Sequence, residues 1–369
     1  ADFYTLQSFF ADVKQWGVYA NYNYTPEPEL KGVGNDHPFY PEARVKNAYL
    51  AKKDVQYRAE LSAFYDQSLK ELRDDKDFAA WRQSTATFLA AHPTGLITPA
   101  GSFLHKPAPA APAKMAPKAD PKAKANNAAK KPAAPMPTAF AADSVIKMKK
   151  GVAKGEDLAI TLEGITTPIA SVRVDIPKGS LPVGSSVNVS ARFGVVDAKG
   201  KERGIPFHLS DASHREPRYN SSVEQAEINA GWSLKMPDAD VHAVWLLDTR
   251  LTLKDGEKFV VHFDSNAALT LKVSVSPLSH DAPLKATSAA TLAAAKETSP
   301  TAAGLAVYLN SRGTDRARLT VIRDLASHIR HQYDGYAWSM VTQATKPLTV
   351  RVLPRGNFLD ETGPVVLPT

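Results

Sequence analysis

The sequence predicts an α+β multidomain chain: a helical N-terminal segment, an antiparallel, jelly-roll-like β-sandwich, and C-terminal helices with a short strand pair. The hydrophobic period changes from about 3.6 residues to 2 near residue 144, and returns to 3.6 near residue 284. An Ala/Pro/Lys-rich stretch precedes the first change. We therefore expect four segments: helical residues 1–95, a tether at 96–143, a sandwich at 144–278 and helical residues 279–369.

The N-terminal segment carries apolar residues at helical spacing. Residues 2–13 place Phe3, Leu6, Phe9, Phe10 and Val13 on one face, which predicts an amphipathic helix. Prolines and glycines between residues 19 and 41 predict an irregular loop. Two further helices are expected at 42–75 and 77–91, the second ending before His92-Pro93.

The tether is the most basic part of a chain whose formal net charge is +7. From Lys106 to about Ala142 it consists almost entirely of Ala, Pro and Lys, a composition too poor in large apolar residues to fold. A solvated linker fits better than a basic tail that binds an anionic polymer. We therefore predict no nucleic-acid partner.

The sandwich is predicted from short segments that alternate apolar and polar residues or are apolar throughout. Turn signals such as Pro177-Lys-Gly179 and Lys254-Asp-Gly256 separate them. The expected strands are residues 158–162, 170–176, 186–193, 241–247, 259–263 and 269–275.

The C-terminal segment returns to helical spacing. Helices are expected at 286–297, 303–311 and 314–331, the last with Leu319, Ile322, Ala326 and Ile329 on one face. A strand pair, 337–343 with 348–353, is expected to follow.

The two ends of the sequence and its cysteine count bear on its partners. An apolar helix stands at the first residues and Val365, Val366 and Leu367 stand at the last, so we expect both ends to insert into adjoining upstream and downstream polypeptides. The sequence has no cysteine, so it cannot hold haem c covalently. No apolar run reaches the roughly 18 residues of a membrane span, so none is predicted.

The two end motifs resemble a known family. Residues 2–13 with Gly17-Val18 look like the end of domain of unknown function 1549, and residues 353–363 look like the start of domain of unknown function 1553. These domains occur together in large planctomycete-type cytochrome c proteins of Planctomycetes, Verrucomicrobia and relatives. The sandwich is similar in outline, but Ser185-Ser-Val-Asn188 stands where the family has a glycine-rich, Asn-Gly-Asn-like stretch.

The resemblance implies a cofactor and a location. It implies haem c on the adjoining upstream polypeptide, near residues 1–24, and an extracytoplasmic site: periplasmic, cell-surface or secreted. Tyr22 and Tyr24 would then line a cleft on the haem side, against the alternative of a packed loop. Arg355 and Asn357 would point into a site shared with the downstream domain, or form a structural turn.

The sandwich supplies its own candidate site residues. The loop 211–222 carries Asp211, His214, Arg218 and Asn220, which offer oxygen ligands for Ca²⁺ and hydrogen-bonding groups for a sugar, although the spacing is not that of a calcium loop. Trp232 is either a stacking platform for a sugar ring or a core residue.

Three histidines have ordinary structural interpretations. His242 stands in an apolar strand, where a hydrogen-bonded core histidine is expected. His328 and His331 share one helix face, which favours a solvated basic helix over a metal site because no third ligand is evident.

The functional expectation combines the resemblance with the sandwich. The resemblance implies part of a secreted or envelope redox protein that takes part in electron transfer, acting on polysaccharide, with the sandwich as recognition module. The alternative is a non-enzymatic carbohydrate- or surface-binding protein. The sequence contains no complete catalytic constellation.

Overall fold

The structure is a computed structural model that describes residues 8, 10, 42–107, 136–154, 156–216, 219–220, 223–332, 335–340, 346, 349–352 and 362–366. The chain divides into two compact units. One comprises Ala1–Asp54, Pro217–Gln225 and Gln332–Thr369, and the other Val55–Glu216 and Ala226–His331.

The described helices lie before and after the strands of the sandwich. They are α1 (Ala48–Leu72), α2 (Lys76–Ala91), a 3₁₀ helix η1 (Pro283–Thr287), α3 (Ala289–Lys296), α4 (Ala302–Arg312) and α5 (Arg316–Gln332). Asp75 caps α2 by accepting a hydrogen bond from the Phe78 backbone N–H at 2.7 Å. Among these helices, none combines the length and the apolar character that crossing a membrane requires.

Sixteen strands are described. They are β1 (Glu42–Lys46), β2 (Gly101–Lys106), β3 (Thr138–Phe140), β4 (Ile146–Lys147), β5 (Asp157–Leu162), β6 (Ile169–Ile176), β7 (Ser186–Val196), β8 (Glu202–Ile205), β9 (Phe207–Ala212), β10 (Tyr219–Asn220), β11 (Val223–Glu224), β12 (Trp232–Lys235), β13 (Val241–Leu251), β14 (Lys258–Ser265), β15 (Thr270–Ser276) and β16 (Tyr336–Met340).

Two antiparallel sheets form the sandwich. The seven-stranded sheet has the order β12-β7-β14-β5-β2-β3, with β8 also paired to β7, and the five-stranded sheet has the order β4-β15-β6-β13-β9. Alternate residues of the strands meet between the sheets, where Trp245, Phe259 and Phe263 are among the buried side chains. The predicted α+β class is confirmed.

Helices pack on the outer face of the five-stranded sheet. Leu209, Val244 and Leu246 form a small buried cluster with Ala286 of η1. The carboxylate of Asp248 on β13 binds Arg316 and Arg323 of α5. This packing leaves the outer face of the seven-stranded sheet as the side that carries the site described below.

The helices predicted before and after the sandwich, from residue 42 to 91 and from 286 to 331, are confirmed, although their ends shift by a few residues. On α5, Leu319, Ile322 and Ala326 are buried and Ile329 is partly buried, so the predicted face is correct. They pack into a second core with residues of α1 and α2, including Tyr65, Phe78 and Trp81.

Three sequence-based boundaries need correction. Residues 101–106 and 138–140, assigned to the tether, are strands that extend the seven-stranded sheet from β5. Glu42–Lys46, assigned to a helix, is a strand. Its antiparallel partner is β16, whereas the sequence paired residues 337–343 with 348–353. The predicted N-terminal helix lies outside the described residues except for Ser8 and Phe10.

Candidate functional site

An open cleft of about 800 Å³ lies on the outer face of the seven-stranded sheet. Its volume falls within the range of small-molecule sites, about 300–1,000 Å³. It is lined by Val152, Ala153, Lys154, Glu156, Asp157, Arg192, Phe193, Glu202, Gly204, His262 and Asp264. We call it the His262 cleft.

His262 is held on both sides by carboxylates. Its Nδ1 lies 2.9 and 2.8 Å from the two Asp157 carboxylate oxygens, and its Nε2 lies 2.7 Å from Oε1 of Glu202. With a carboxylate at each ring nitrogen, these contacts fix the orientation of the ring at the base of the cleft.

Strand alternation places His262 in the cleft. Phe259, Val261 and Phe263 of β14 point into the core and are fully buried, so His262 between them faces outward. Its register partner on β7 is Arg192, which brings the guanidinium to the same face.

Gly194 allows the Glu202 side chain to reach the ring. A Cβ at Gly194 would lie 2.3 Å from Oε1 of Glu202 and 3.1 Å from its Cγ and Cδ. Gly194 pairs with Gly204 on β8, two residues beyond Glu202. The carboxylate thus crosses the β7 backbone through space that any other side chain would fill.

Arg192 lies beside His262 and its carboxylates and makes only long contacts to them. Its guanidinium nitrogen lies 3.8 Å from Asp157 and 3.9 Å from Asp264, and 66% of its side chain is exposed. Within the described residues it has no hydrogen-bond partner. Asp264 accepts a hydrogen bond from Ser190 at 3.2 Å, and Lys106 lies 3.6 Å from Asp157.

A second cavity, of about 550 Å³, shares Glu156 with the His262 cleft. Glu156 accepts hydrogen bonds from Lys150 at 2.6 Å and from the Ala153 backbone N–H at 3.0 Å, and its other contact is His105 Nε2 at 2.8 Å. These partners, Lys150 foremost, lower the pKa of Glu156 to about 2. The Glu156 side chain is therefore ionised at neutral pH, and it lines both cavities.

The lining restricts the chemistry that the cleft can perform. The residues that line it include no serine, threonine or cysteine, so no hydroxyl or thiol nucleophile stands among them. Nowhere in the described part of the chain do three or more His, Cys, Asp or Glu side chains form a group that could hold a metal ion. The carboxylates, the cations and the imidazole that line the cleft can bind a polar ligand through charges and hydrogen bonds.

The sequence-based site residues of the loop lie on other elements. Asp211 is half-buried on β9, where it contacts Arg215 at 3.3 Å, and burial raises its pKa. His214 is exposed. Arg218 lies outside the described residues, and only the backbone of Asn220 is described, in a strand pair with β11. The calcium interpretation of this loop stays a prediction.

Trp232 cannot act as a stacking platform for a sugar. Only 1% of it is exposed, because its ring lies in the core between the sheets. Its indole N–H donates to the His214 backbone carbonyl at 2.8 Å. The core interpretation is therefore the correct one.

The remaining candidates are described in part. Tyr22, Tyr24, Arg355 and Asn357 all lie outside the described residues. The side chain of His242 is half-buried, and burial lowers its pKa.

The two histidines of α5, His328 and His331, contact different partners. His328 stacks on Tyr57, with ring centroids 4.7 Å apart. The ring of His331 approaches the Ser327 backbone carbonyl at 2.7 Å.

Sequence reasoning did not select His262. The strand that contains it was predicted, but its histidine was not singled out. The sequence contains two local signals: a titratable residue between Val261 and Phe263, and a glycine, Gly194, directly after the predicted strand 186–193.

Comparisons of this chain with family models, curated proteins and solved structures find no match. The resemblance of the end motifs to planctomycete-type cytochrome c proteins therefore stays a prediction.

Proposed function

We propose that the β-sandwich is a carbohydrate-binding module and that the His262 cleft is its binding site. The observation that carries the proposal is His262, fixed between Asp157 and Glu202 in an open, polar cleft. This corresponds to the non-enzymatic alternative drawn from the sequence.

The polarity of the cleft supports a hydroxyl-rich ligand. Charged donors and acceptors stand side by side in it, including Arg192, Lys154, Glu202 and Asp264. A sugar presents neighbouring hydroxyl groups that both donate and accept, and hydrogen bonds to ionised groups are the stronger kind. A ligand that was mainly apolar would leave these groups desolvated without partners.

The rigidity of the cleft supports binding as well. The His262 side chain is 11% exposed and is held at both ring nitrogens, so little rotamer freedom remains to be lost when a ligand binds. The strands behind it belong to the main core, so the site is built on the stable part of the fold.

A glycan array tests the proposal. The fluorescently labelled 369-residue chain is applied beside two variants, His262→Gln in the cleft and His214→Gln on the loop after β9. We expect a set of retained glycans whose signal falls at least tenfold for His262→Gln and stays unchanged for His214→Gln. Either no retained glycan, or equal loss in both variants, would overturn the assignment.

The redox role implied by the resemblance remains a separate proposal. This chain has no cysteine and holds no covalent haem c, so the redox group would sit on an adjoining polypeptide. A Soret band in the absorption spectrum of the native complex would support it. A native complex without that band, still retaining glycan binding, would leave the binding role alone.

A further inference from the structure

We infer that the His262 cleft selects an anionic saccharide, one that carries ring carboxylates, and that Arg192 determines this selectivity. The inference rests on the proposed function, because it names the class of saccharide that the same cleft takes. The observation behind it is that most hydrogen-bond acceptors of the cleft already have partners, whereas its donors Arg192 and Lys154 remain available to a ligand.

The acceptors around the cleft are largely engaged. Both carboxylate oxygens of Asp157 face His262 Nδ1, and Glu202 contacts the other ring nitrogen. Glu156 is bound by Lys150 and by a backbone N–H. Asp264 is the acceptor that remains for a sugar hydroxyl, since it accepts one hydrogen bond, from Ser190 at 3.2 Å, and its side chain is 38% exposed.

The donors are free by contrast. Among the described residues, Arg192 makes only the two long ion pairs given above, both beyond hydrogen-bond distance, and its side chain is 66% exposed. Lys154, also in the lining, is exposed and has no ion-pair partner among the described residues. The guanidinium presents a planar fork of N–H groups that matches a carboxylate in bidentate geometry.

The ion pairs of the lining point the same way. The lining carboxylates are Glu156, Asp157, Glu202 and Asp264, and the lining cations are Lys154 and Arg192. From outside the lining, Lys106 and Lys150 pair with Asp157 and Glu156. These two lysines are therefore already engaged, and Arg192 and Lys154 are the cations left for an added anion.

The test compares matched ligands by titration calorimetry on the 369-residue chain. The probes are tetragalacturonate, its fully methyl-esterified form, a sulfated tetrasaccharide and free citrate. We expect tetragalacturonate to bind at least tenfold more tightly than the ester, which has the same ring skeleton without the charges. Citrate carries carboxylates without the sugar rings, and we expect it to bind at least tenfold more weakly than tetragalacturonate.

Variants place the selectivity on one residue. Arg192→Gln should lose at least tenfold in affinity for tetragalacturonate and leave the affinity for the ester unchanged. Arg192→Lys keeps the positive charge but loses the planar fork of N–H groups. Its affinity for tetragalacturonate should lie between those of the wild type and Arg192→Gln. Arg203→Gln is the matched control, since it removes one exposed positive charge from β8 in the same sheet and is not among the lining residues.

The outcomes separate this inference from the proposed function. Equal binding of tetragalacturonate and the ester would overturn the anion selectivity while the saccharide site stands. Equal losses in Arg192→Gln and Arg203→Gln would overturn the role of Arg192, because the effect would then be general electrostatics. Tighter binding of the sulfated probe or of citrate would overturn the choice of a carboxylated sugar. Binding of none of the probes, with no glycan retained on the array, would remove the proposed function as well.

Discussion

Replacing Gly194 by alanine tests whether the Glu202 side chain crosses β7 to reach His262. The new Cβ would lie 2.3 Å from Oε1 of Glu202, closer than any real contact, so the carboxylate must move away and lose its hydrogen bond. A hydrogen bond to a charged group contributes about 1.5–3 kcal/mol when buried. The side chain of Glu202 is 38% exposed, so solvent screening reduces the expected loss to about 1–2 kcal/mol.

Thermal unfolding of the 369-residue chain measures this loss of stability. For a unit of this size, about 1 kcal/mol shifts the Tm by roughly 2–4 °C, so Gly194→Ala should lower it by about 2–8 °C. The signal can be tryptophan fluorescence, because Trp232 and Trp245 lie in the sandwich core.

The neighbouring glycine provides a matched control. Gly204 pairs directly with Gly194, and a Cβ there would meet nothing within 4 Å. Gly204→Ala should therefore leave the Tm unchanged or raise it slightly. In a background that carries Glu202→Ala, Gly194→Ala should cost no further stability. A Gly194→Ala variant that unfolds at the wild-type temperature would refute the reasoning.

Three further predictions concern other positions. His262→Gln should destabilise the protein by about 1–3 kcal/mol in urea titrations, because its two carboxylate partners lose a shared hydrogen-bond partner; unchanged stability would mean that these contacts contribute nothing. Burial, with the nearby Arg323 charge, lowers the pKa of His208 from 6.5 to about 4, so the unfolded chain takes up this proton first as the pH falls. Stability should thus be fully present above about pH 6.5 and decline by at most about 3 kcal/mol down to pH 4, and His208→Gln should remove that part of the slope. Gly313 ends α4 in the left-handed region at φ +66°, where a Cβ would lie 2.8 Å from a backbone oxygen, so Gly313→Ala should cost about 1–3 kcal/mol, whereas a neutral effect would show that the cap relaxes freely.

Local patterns explain why most of the fold could be predicted. Strands such as Ile169–Ile176 and Lys258–Ser265 bury one face, so alternation is visible within a few residues. Helix α5 shows its buried face in the same way. Where burial is one-sided and regular, the sequence carries the information locally.

Long-range pairing explains what was missed. Glu42–Lys46 reads as a charged helix, and only its pairing with Tyr336–Met340, far along the chain, makes it a strand. Gly101–Lys106 stands at the border of the Ala/Pro/Lys stretch, where composition masks a short strand. Neither partner can be read from the segment itself.

The site was missed for the same reason. His262 lies 105 residues from Asp157 and 60 from Glu202 along the chain, so the group exists only after the strands have paired. The polar residues of the loop after β9 cluster in the sequence, and for that reason the sequence predicts a site there. Trp232 looked available because the sequence alone does not show that its strand faces the opposite sheet.

The most direct test of the central claim is to observe the histidines while a saccharide is added. The ten histidines of the 369-residue chain can be labelled with ¹³C at Cε1, and the His262, His214 and His242 signals assigned from the corresponding glutamine variants. The protein is titrated with the strongest binder from the array, with tetragalacturonate and with its methyl ester. We predict saturable shifts of His262, with His214 and His242 unmoved. Saturable shifts at His214 or His242 with His262 unchanged would place the ligand elsewhere and contradict the assignment of the His262 cleft.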